Sequence, residues 1–210
     1  VSGAVRMAVA GVTKRKATRS PLAPFTMSSL FQEAGNRLGM TTAEARVVSQ
    51  QLFDKGLITY PRTDVAVHEP ASRRSIRDEV ARRFGVGLVS PSERFVSAKG
   101  KATQGAHEAI RPTDLSIESV AASVSAREAA MYAMVWQRTI ASQMIDATGS
   151  TTTLRLVAGE CEFTASGTVY DEPGYRRVWV SRSAADATLP AVGEGEMLQV
   201  ASAGVTEHTT

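Results

Sequence analysis

Cysteine is almost missing from this chain: its 210 residues hold one, Cys161. That excludes an internal disulfide and a zinc site of the usual cysteine spacing. Histidine is scarce too, with three scattered positions, so a structural metal is not expected. No apolar run approaches the roughly 18 residues of a membrane-spanning helix, and no segment reads as a secretory signal. The expectation is a cytoplasmic protein without a membrane partner. No Asp-x-Asp run occurs, so convergent carboxylates for a hard divalent cation are not expected, and no residue of this chain is expected to bind a metal. Asp and Glu are also absent from residues 1–20, which carry Arg6, Lys14, Arg15, Lys16 and Arg19.

What is present suffices for a folded protein. Hydrophobic residues make up 43% of the chain, enough to bury one large core or two small ones. The net charge of +3 is mild but unevenly placed, since Arg73, Arg74, Arg77, Arg82 and Arg83 fall within eleven residues. Such clusters suit contact with a polyanion; solvated helix faces are the plainer alternative. Cys161 sits in an alternating stretch and reads as a small core residue.

Residues 1–12 alternate loosely and predict a strand, followed by a basic linker to Pro21 and Pro24. Helical periodicity then takes over. Leu30, Phe31, Ala34 and Leu38 share one face, with Gly39 as terminator. Thr41 and Glu44 form a capping box that opens a second helix, expected to bury Ala43, Val47, Val48 and Leu52. Gly56 closes it. Pro70 starts a third helix over Ala71–Phe84, with Ile76, Val80 and Phe84 inward and the arginines on the opposite face. Residues 85–106 read as loop, with a short strand at Arg94–Ser97. Ser125 and Glu128 cap the longest helix, about 126–144, burying Ala129, Ala133, Trp136, Ile140 and Met144, with Trp136 a core anchor. Thereafter Thr152–Val157, Glu160–Ser166, Arg176–Ser181 and Met197–Ala201 alternate at period two, with a turn at Gly159. The fold class is therefore α+β: a mostly helical, winged-helix-like domain at 21–146, inserted into an antiparallel β domain drawn from 1–20 and 147–210.

The segment richest in chemistry is Leu57-Ile58-Thr59-Tyr60-Pro61-Arg62-Thr63-Asp64. A phenol two residues from a guanidinium suits nucleophilic attack on a phosphodiester. Tyrosine provides an oxygen able to form a covalent intermediate, and arginine a permanently charged fork for the non-bridging oxygens. The crowded transition state gathers negative charge, which a fixed cation stabilises. A free tyrosine titrates near about 10, so the reaction also needs a proton acceptor, which Arg62 cannot be.

This octet resembles the active-site segment of type IA DNA topoisomerases. Two further stretches resemble motifs of that family: Ala106-His107-Glu108-Ala109-Ile110-Arg111-Pro112-Thr113, and Pro24-Phe25-Thr26-Met27-Ser28-Ser29-Leu30-Phe31-Gln32-Glu33-Ala34. They stand in the family's order, and the resemblance covers roughly residues 5–202. It implies a helical catalytic domain held between the β-strands of a gate, with Tyr60 as nucleophile and Arg62 beside it. His107 becomes the candidate for proton transfer or phosphate contact. DNA contacts are implied at Arg62, Thr63, Asp64, His107, Glu108 and Arg111, with Thr63 and Asp64 also able to fix the Arg62 rotamer. For His107 and Glu108 a local hydrogen-bonded pair is the alternative. The implied reaction is ATP-independent cutting and rejoining of single-stranded DNA through a 5′-phosphotyrosyl bond, relaxing negatively supercoiled DNA. The implied Mg²⁺ belongs to a TOPRIM domain that nothing here resembles, so the chain is expected to be a piece of a longer polypeptide whose remaining domains are its partners, at the nucleoid. The second motif looks more like the topoisomerase I branch than topoisomerase III; reverse gyrase shares much of the region. Val65 replaces the family's usual serine, and Met27 and Phe31 stand where small or polar residues are usual. The rival readings are a non-catalytic DNA-binding module and a protein-interaction domain.

Overall fold

The computed structural model describes residues 6–94, 108–180 and 188–201. They fall into two compact units: one drawn from Val1–Thr18, Thr148–Glu172 and Arg182–Thr210, the other from Arg19–Ala147 and Pro173–Ser181. An α+β fold is what the structure shows; nothing in it identifies a winged helix.

The first unit is built on a four-stranded sheet in the order β3-β2-β1-β4, with β1 at Arg6–Arg19, β2 at Ala147–Ala158, β3 at Cys161–Glu172 and β4 at Met197–Gln199. β2 and β3 form a long antiparallel hairpin in which Ala158 faces Cys161 across the Gly159 turn. Gly159 has φ 62°, the left-handed conformation that a tight hairpin turn asks of its first central residue. Gly149 sits where the register slips, and a Cβ there would lie 2.0 Å from the Val169 carbonyl oxygen, so no side chain fits. β1 differs from expectation. It does not stop before the basic stretch but runs through Lys14, Arg15 and Lys16, all exposed, because strand pairing is set by the backbone and tolerates charge on a solvated face. Cys161 is exposed as well; it is the first residue after the turn and not part of the core.

The second unit packs α1 (Met27–Leu38), α2 (Thr42–Asp54), α3 (Pro70–Phe84) and α4 (Ala126–Ala141). α1, α2 and α4 each open on a capping box, at Thr26/Ser29, Thr41/Glu44 and Ser125/Glu128. At the third, the Ser125 hydroxyl accepts from the Glu128 amide while the Glu128 carboxylate accepts from the Ser125 amide. Lys55, at the end of α2, also donates to Glu128. That bond, followed by those from Ser125, holds the Glu128 carboxyl down at about 2. Ser125→Ala should therefore lower the stability of this unit by about 1 kcal/mol, read as a shift of the urea midpoint with unchanged slope.

The buried faces run close to expectation in α1 and α3, with Leu30, Ala34, Ile76 and Val80 inside. α4 buries Trp136 and Ile140 as expected but leaves Ala129 and Ala133 half-buried and takes in Met131, Tyr132, Met134 and Val135 as well. α2 is rotated from its predicted face: Ala45, Val48, Ser49 and Leu52 are buried, whereas Val47 is 55% exposed. α4 ends at Ala141, and Met144 is buried beyond it, paired as a single bridge with Val89. Residues 85–94 contain a 3₁₀ turn at Val86–Leu88; of the strand expected at Arg94–Ser97, only Arg94 lies among the described residues.

The stretch expected as a strand at Arg176–Ser181 is instead a 3₁₀ turn, Gly174–Arg177, that places Tyr175 and Trp179 in the helical core at 0% and 1% exposure. Gly174 has φ 49°, and a Cβ on it would meet the Asp146 carbonyl oxygen at 2.3 Å. Trp179 stacks edge-on against Phe25 at 5.9 Å and lies between the guanidinium groups of Arg37 and Arg138. Among the described residues no helix is long and apolar enough to cross a membrane.

Candidate active site

The three motif segments, far apart in sequence, converge in the helical unit through their backbones. α2 ends in a Schellman arrangement: Gly56 has φ 70°, its amide donates to Phe53 O, and the Leu57 amide reaches back to Leu52 O at 2.9 Å. This use of a left-handed glycine satisfies the last helical carbonyls and turns the chain sharply. The emerging residues pair with the second motif. Thr59 N–H donates to Arg111 O at 2.8 Å, Thr113 N–H to Leu57 O at 3.1 Å, and Ile58 bridges Pro112. Thr59 Oγ1 accepts from the Arg111 amide at 3.0 Å, and Thr113 Oγ1 donates to Gly56 O at 2.6 Å. The Pro24–Ala34 segment joins on the other side, where Ile110 N–H donates to Phe25 O and Met27 N–H to Thr63 O, both at 2.9 Å.

Tyr60 is thus clamped before and after. Ile58, at 1% exposure, anchors the segment, and Pro61 and Thr63 are buried. The Tyr60 ring is half-buried, edge-on to Phe53 with centroids 5.4 Å apart. Between the two buried neighbours Arg62 is exposed, and Asp64 is exposed beyond them. The Thr63 hydroxyl does not serve Arg62; it accepts from the Val65 amide at 3.1 Å, shaping the turn that leaves the motif.

The second motif carries its own ion pair. Arg111 donates to Glu108 through Nε at 2.8 Å and to Pro112 O through Nη1 at 2.9 Å. Burial alone would raise the Glu108 carboxyl, but hydrogen bonds from Arg111 and Ser72, the Arg111 charge and the Glu69 amide hold it below the usual range. His107 lies outside the described residues.

His68 is a residue that sequence reasoning passed over. It is 1% exposed, with Nδ1 3.9 Å from Glu108, and neither ring nitrogen finds a hydrogen-bond partner among the described residues. Burial pushes the imidazole down to about 4; Glu108 opposes this, and Arg111 and Arg73 reinforce it. No local pattern marks His68, because the Glu108 and Arg111 charges that act on it stand far along the chain.

Three of the five α3 arginines are tied to carboxylates, while Arg74 is exposed and Arg77 donates to the Ser92 carbonyl. Arg73 pairs with Glu93 and Arg82 with Glu79; Arg83 binds Glu79, Glu118 and the Ser116 carbonyl. Among the described residues no group of three His, Cys, Asp or Glu side chains gathers to hold a metal ion, so Mg²⁺ finds no ready-made site among them.

Comparison with known proteins agrees on one family. A family model described as DNA topoisomerase matches residues 1–210. The chain is 32% identical over 222 residues to DNA topoisomerase 1 of Mycolicibacterium smegmatis, covering 98% of this chain and 24% of that protein. Against DNA topoisomerase 1 of Treponema pallidum it is 37% identical over 203 residues, covering 90% and 28%. The structure of full-length topoisomerase I from Thermotoga maritima superimposes with a TM-score of 0.75 at 26% identity, covering 93% of this chain and 33% of that one. The chain spans about a quarter of the length of the curated relatives it matches.

Proposed function

Because the chain belongs to the DNA topoisomerase family, in its type IA branch, we propose that it carries the tyrosine half of a site that transiently cuts single-stranded DNA. The observation that supports this most strongly is the weaving of all three motif segments around Tyr60, with Arg62 presented to solvent two residues on. A segment held by paired backbone on one side and the Met27–Thr63 bond on the other keeps nucleophile and cation in a fixed relation, which is the condition for electrostatic stabilisation without reorganisation.

On this reading Tyr60 Oη attacks the phosphorus of a phosphodiester and the bond to the 3′ oxygen breaks. The DNA 5′ phosphate stays on Tyr60, the freed 3′ oxygen takes up a proton, and the phenol loses one. Arg62 holds the non-bridging oxygens as charge builds on them. His107 is the proposed proton carrier, and Asp64, Glu108 and Arg111 complete the DNA-binding surface, the last two as a mutually fixed pair, while the buried Thr63 shapes the turn that presents Arg62 rather than touching DNA. Reversal by the 3′ hydroxyl restores the strand, and the conserved bond energy makes ATP unnecessary. Relaxation of negatively supercoiled DNA, Mg²⁺ held by carboxylates outside this chain, and a place at the cytoplasmic nucleoid are parts of the same proposal.

The test is a covalent-trapping experiment. Labelled single-stranded DNA and Mg²⁺ are incubated with the chain and a TOPRIM-containing half of a related enzyme that has been shown to associate with it, and quenched with denaturant. Label retained on the chain, at Tyr60 by peptide mapping, is the expected result. Salt-dependent binding without any adduct would replace this reading with that of a non-catalytic DNA-binding module.

A further inference from the structure

Beside Arg62 the surface opens into a recess of about 250 Å³, walled by Met27 and Phe31 from α1, by Arg46, Ser49 and Gln50 from α2, and floored by Pro61. Its make-up is unusual for a packing gap. Phe31 and Met27 offer an apolar wall, both only half-buried, while Arg46 and Arg62 stand exposed at its rim. Several arginines elsewhere are tied to carboxylates, as Arg73, Arg82 and Arg83 are on α3. Among the described residues neither Arg46 nor Arg62 has such a partner. An aromatic wall flanked by two uncommitted cations is complementary to a ligand that is a flat ring with negative charge on either side.

The remaining walls are already committed inward and hold the recess in shape. Ser49 donates its hydroxyl to Arg46 O at 3.0 Å, and Gln50 donates its amide to Asp54 at 2.8 Å. The Met27–Thr63 backbone bond ties the α1 wall to the segment that carries Arg62. The volume falls just below the roughly 300–1,000 Å³ of sites for drug-sized ligands, so one ring system fits and two do not.

We propose that this recess takes one unstacked nucleobase of the single strand, its face against Phe31 and its flanking phosphates on Arg46 and Arg62. Bases stack on aromatic side chains irrespective of sequence, and the methionine thioether makes favourable contact with ring edges. Since Pro61 and Arg62 directly follow Tyr60, the captured base belongs to a nucleotide next to the phosphate that Tyr60 attacks. Arg62 then acts on two neighbouring phosphates' fields, and Phe31 is a positioning residue that sets which phosphate lies at the phenol. The proposal rests on the cleavage reading for its place in the reaction, but its test does not use cleavage.

The test compares two labelled strands of equal length and charge, one of oligothymidylate and one of abasic units, binding to the 210-residue chain by fluorescence anisotropy. The chain should prefer the base-bearing strand by roughly tenfold, as one stacked base warrants. Phe31→Leu should bring that ratio to within about twofold of unity, and Phe31→Trp should keep or raise it. Arg46→Gln should weaken both strands alike and reduce the salt dependence by about one phosphate contact. A ratio unchanged in Phe31→Leu, a ratio of one in the unaltered chain, or loss of the preference in a folded Phe31→Trp would each overturn the recess. The Tyr60 adduct is scored separately, so an adduct without a base preference sinks the recess alone, and a base preference without an adduct sinks the cleavage reading alone.

Discussion

Tyr60→Phe is expected to remove the covalent adduct completely, and Arg62→Ala to slow its formation about 10²–10³-fold, or roughly 3–4 kcal/mol of transition-state stabilisation. The two changes act on different atoms. Phenylalanine keeps the edge-on contact with Phe53 and loses only the oxygen, so the fold and the affinity for single-stranded DNA should be unchanged. Arg62 is exposed between the buried Pro61 and Thr63 and contributes little to the core, so its removal should leave stability within about 0.5 kcal/mol. Arg62→Lys should recover part of the rate, since it restores the charge but not the planar fork. The measurement is the rate of label transfer to protein in the complemented system, with affinity followed in parallel. An adduct persisting in Tyr60→Phe would put the nucleophile elsewhere; an unaltered rate in Arg62→Ala would leave the guanidinium without a role in the chemistry.

Acid should loosen the helical unit well above the range in which carboxylates titrate. His68 has a folded-state pKa of about 4 against an ordinary value of 6.5. Between those values the unfolded chain binds a proton that the folded chain refuses, so stability rises with pH across that window. Its contribution is complete above about pH 6.5 and is lost as pH falls toward 4, amounting to roughly 3 kcal/mol at about 1.4 kcal/mol per unit. Glu128 has the same sign further down, present above about 4.5 and lost toward about 2. Urea titrations followed by the fluorescence of the buried Trp136 and Trp179 should show this decline. His68→Leu should flatten it between pH 6.5 and 4, because leucine fills the site without an imidazole to charge. At neutral pH that variant should be no less stable, since the buried ring nitrogens it removes have no hydrogen-bond partners among the described residues and leaving them dry is costly. A slope that survives in His68→Leu would assign the acid sensitivity to another group.

Local sequence signals accounted for a defined share of this molecule. The capping boxes at Thr41 and Ser125, the glycine stops at Gly39 and Gly56, the Gly159 turn and the inward faces of α1 and α3 were all legible. Each depends on residues within about four positions, where side-chain geometry and backbone freedom decide the outcome. The Tyr60–Arg62 pair was legible for the same reason, being chemistry carried by neighbours in the chain. Tertiary structure decided the rest. Arg176–Ser181 alternates like a strand, yet Gly174 tucks under the Asp146 carbonyl and sends Tyr175 and Trp179 into the helical core. The basic stretch after residue 12 reads as a linker, yet it belongs to β1, because the sheet partner lies far along the chain. The α3 arginines look like one open DNA surface, yet Glu79, Glu93 and Glu118 claim Arg73, Arg82 and Arg83. His68 is unremarkable until Glu108 and Arg111 arrive beside it. The sequence alone determined which groups could do chemistry, since that is a property of side chains and short spacings; only the fold decided which charges remain free and which segments meet, since those depend on contacts between residues tens of positions apart.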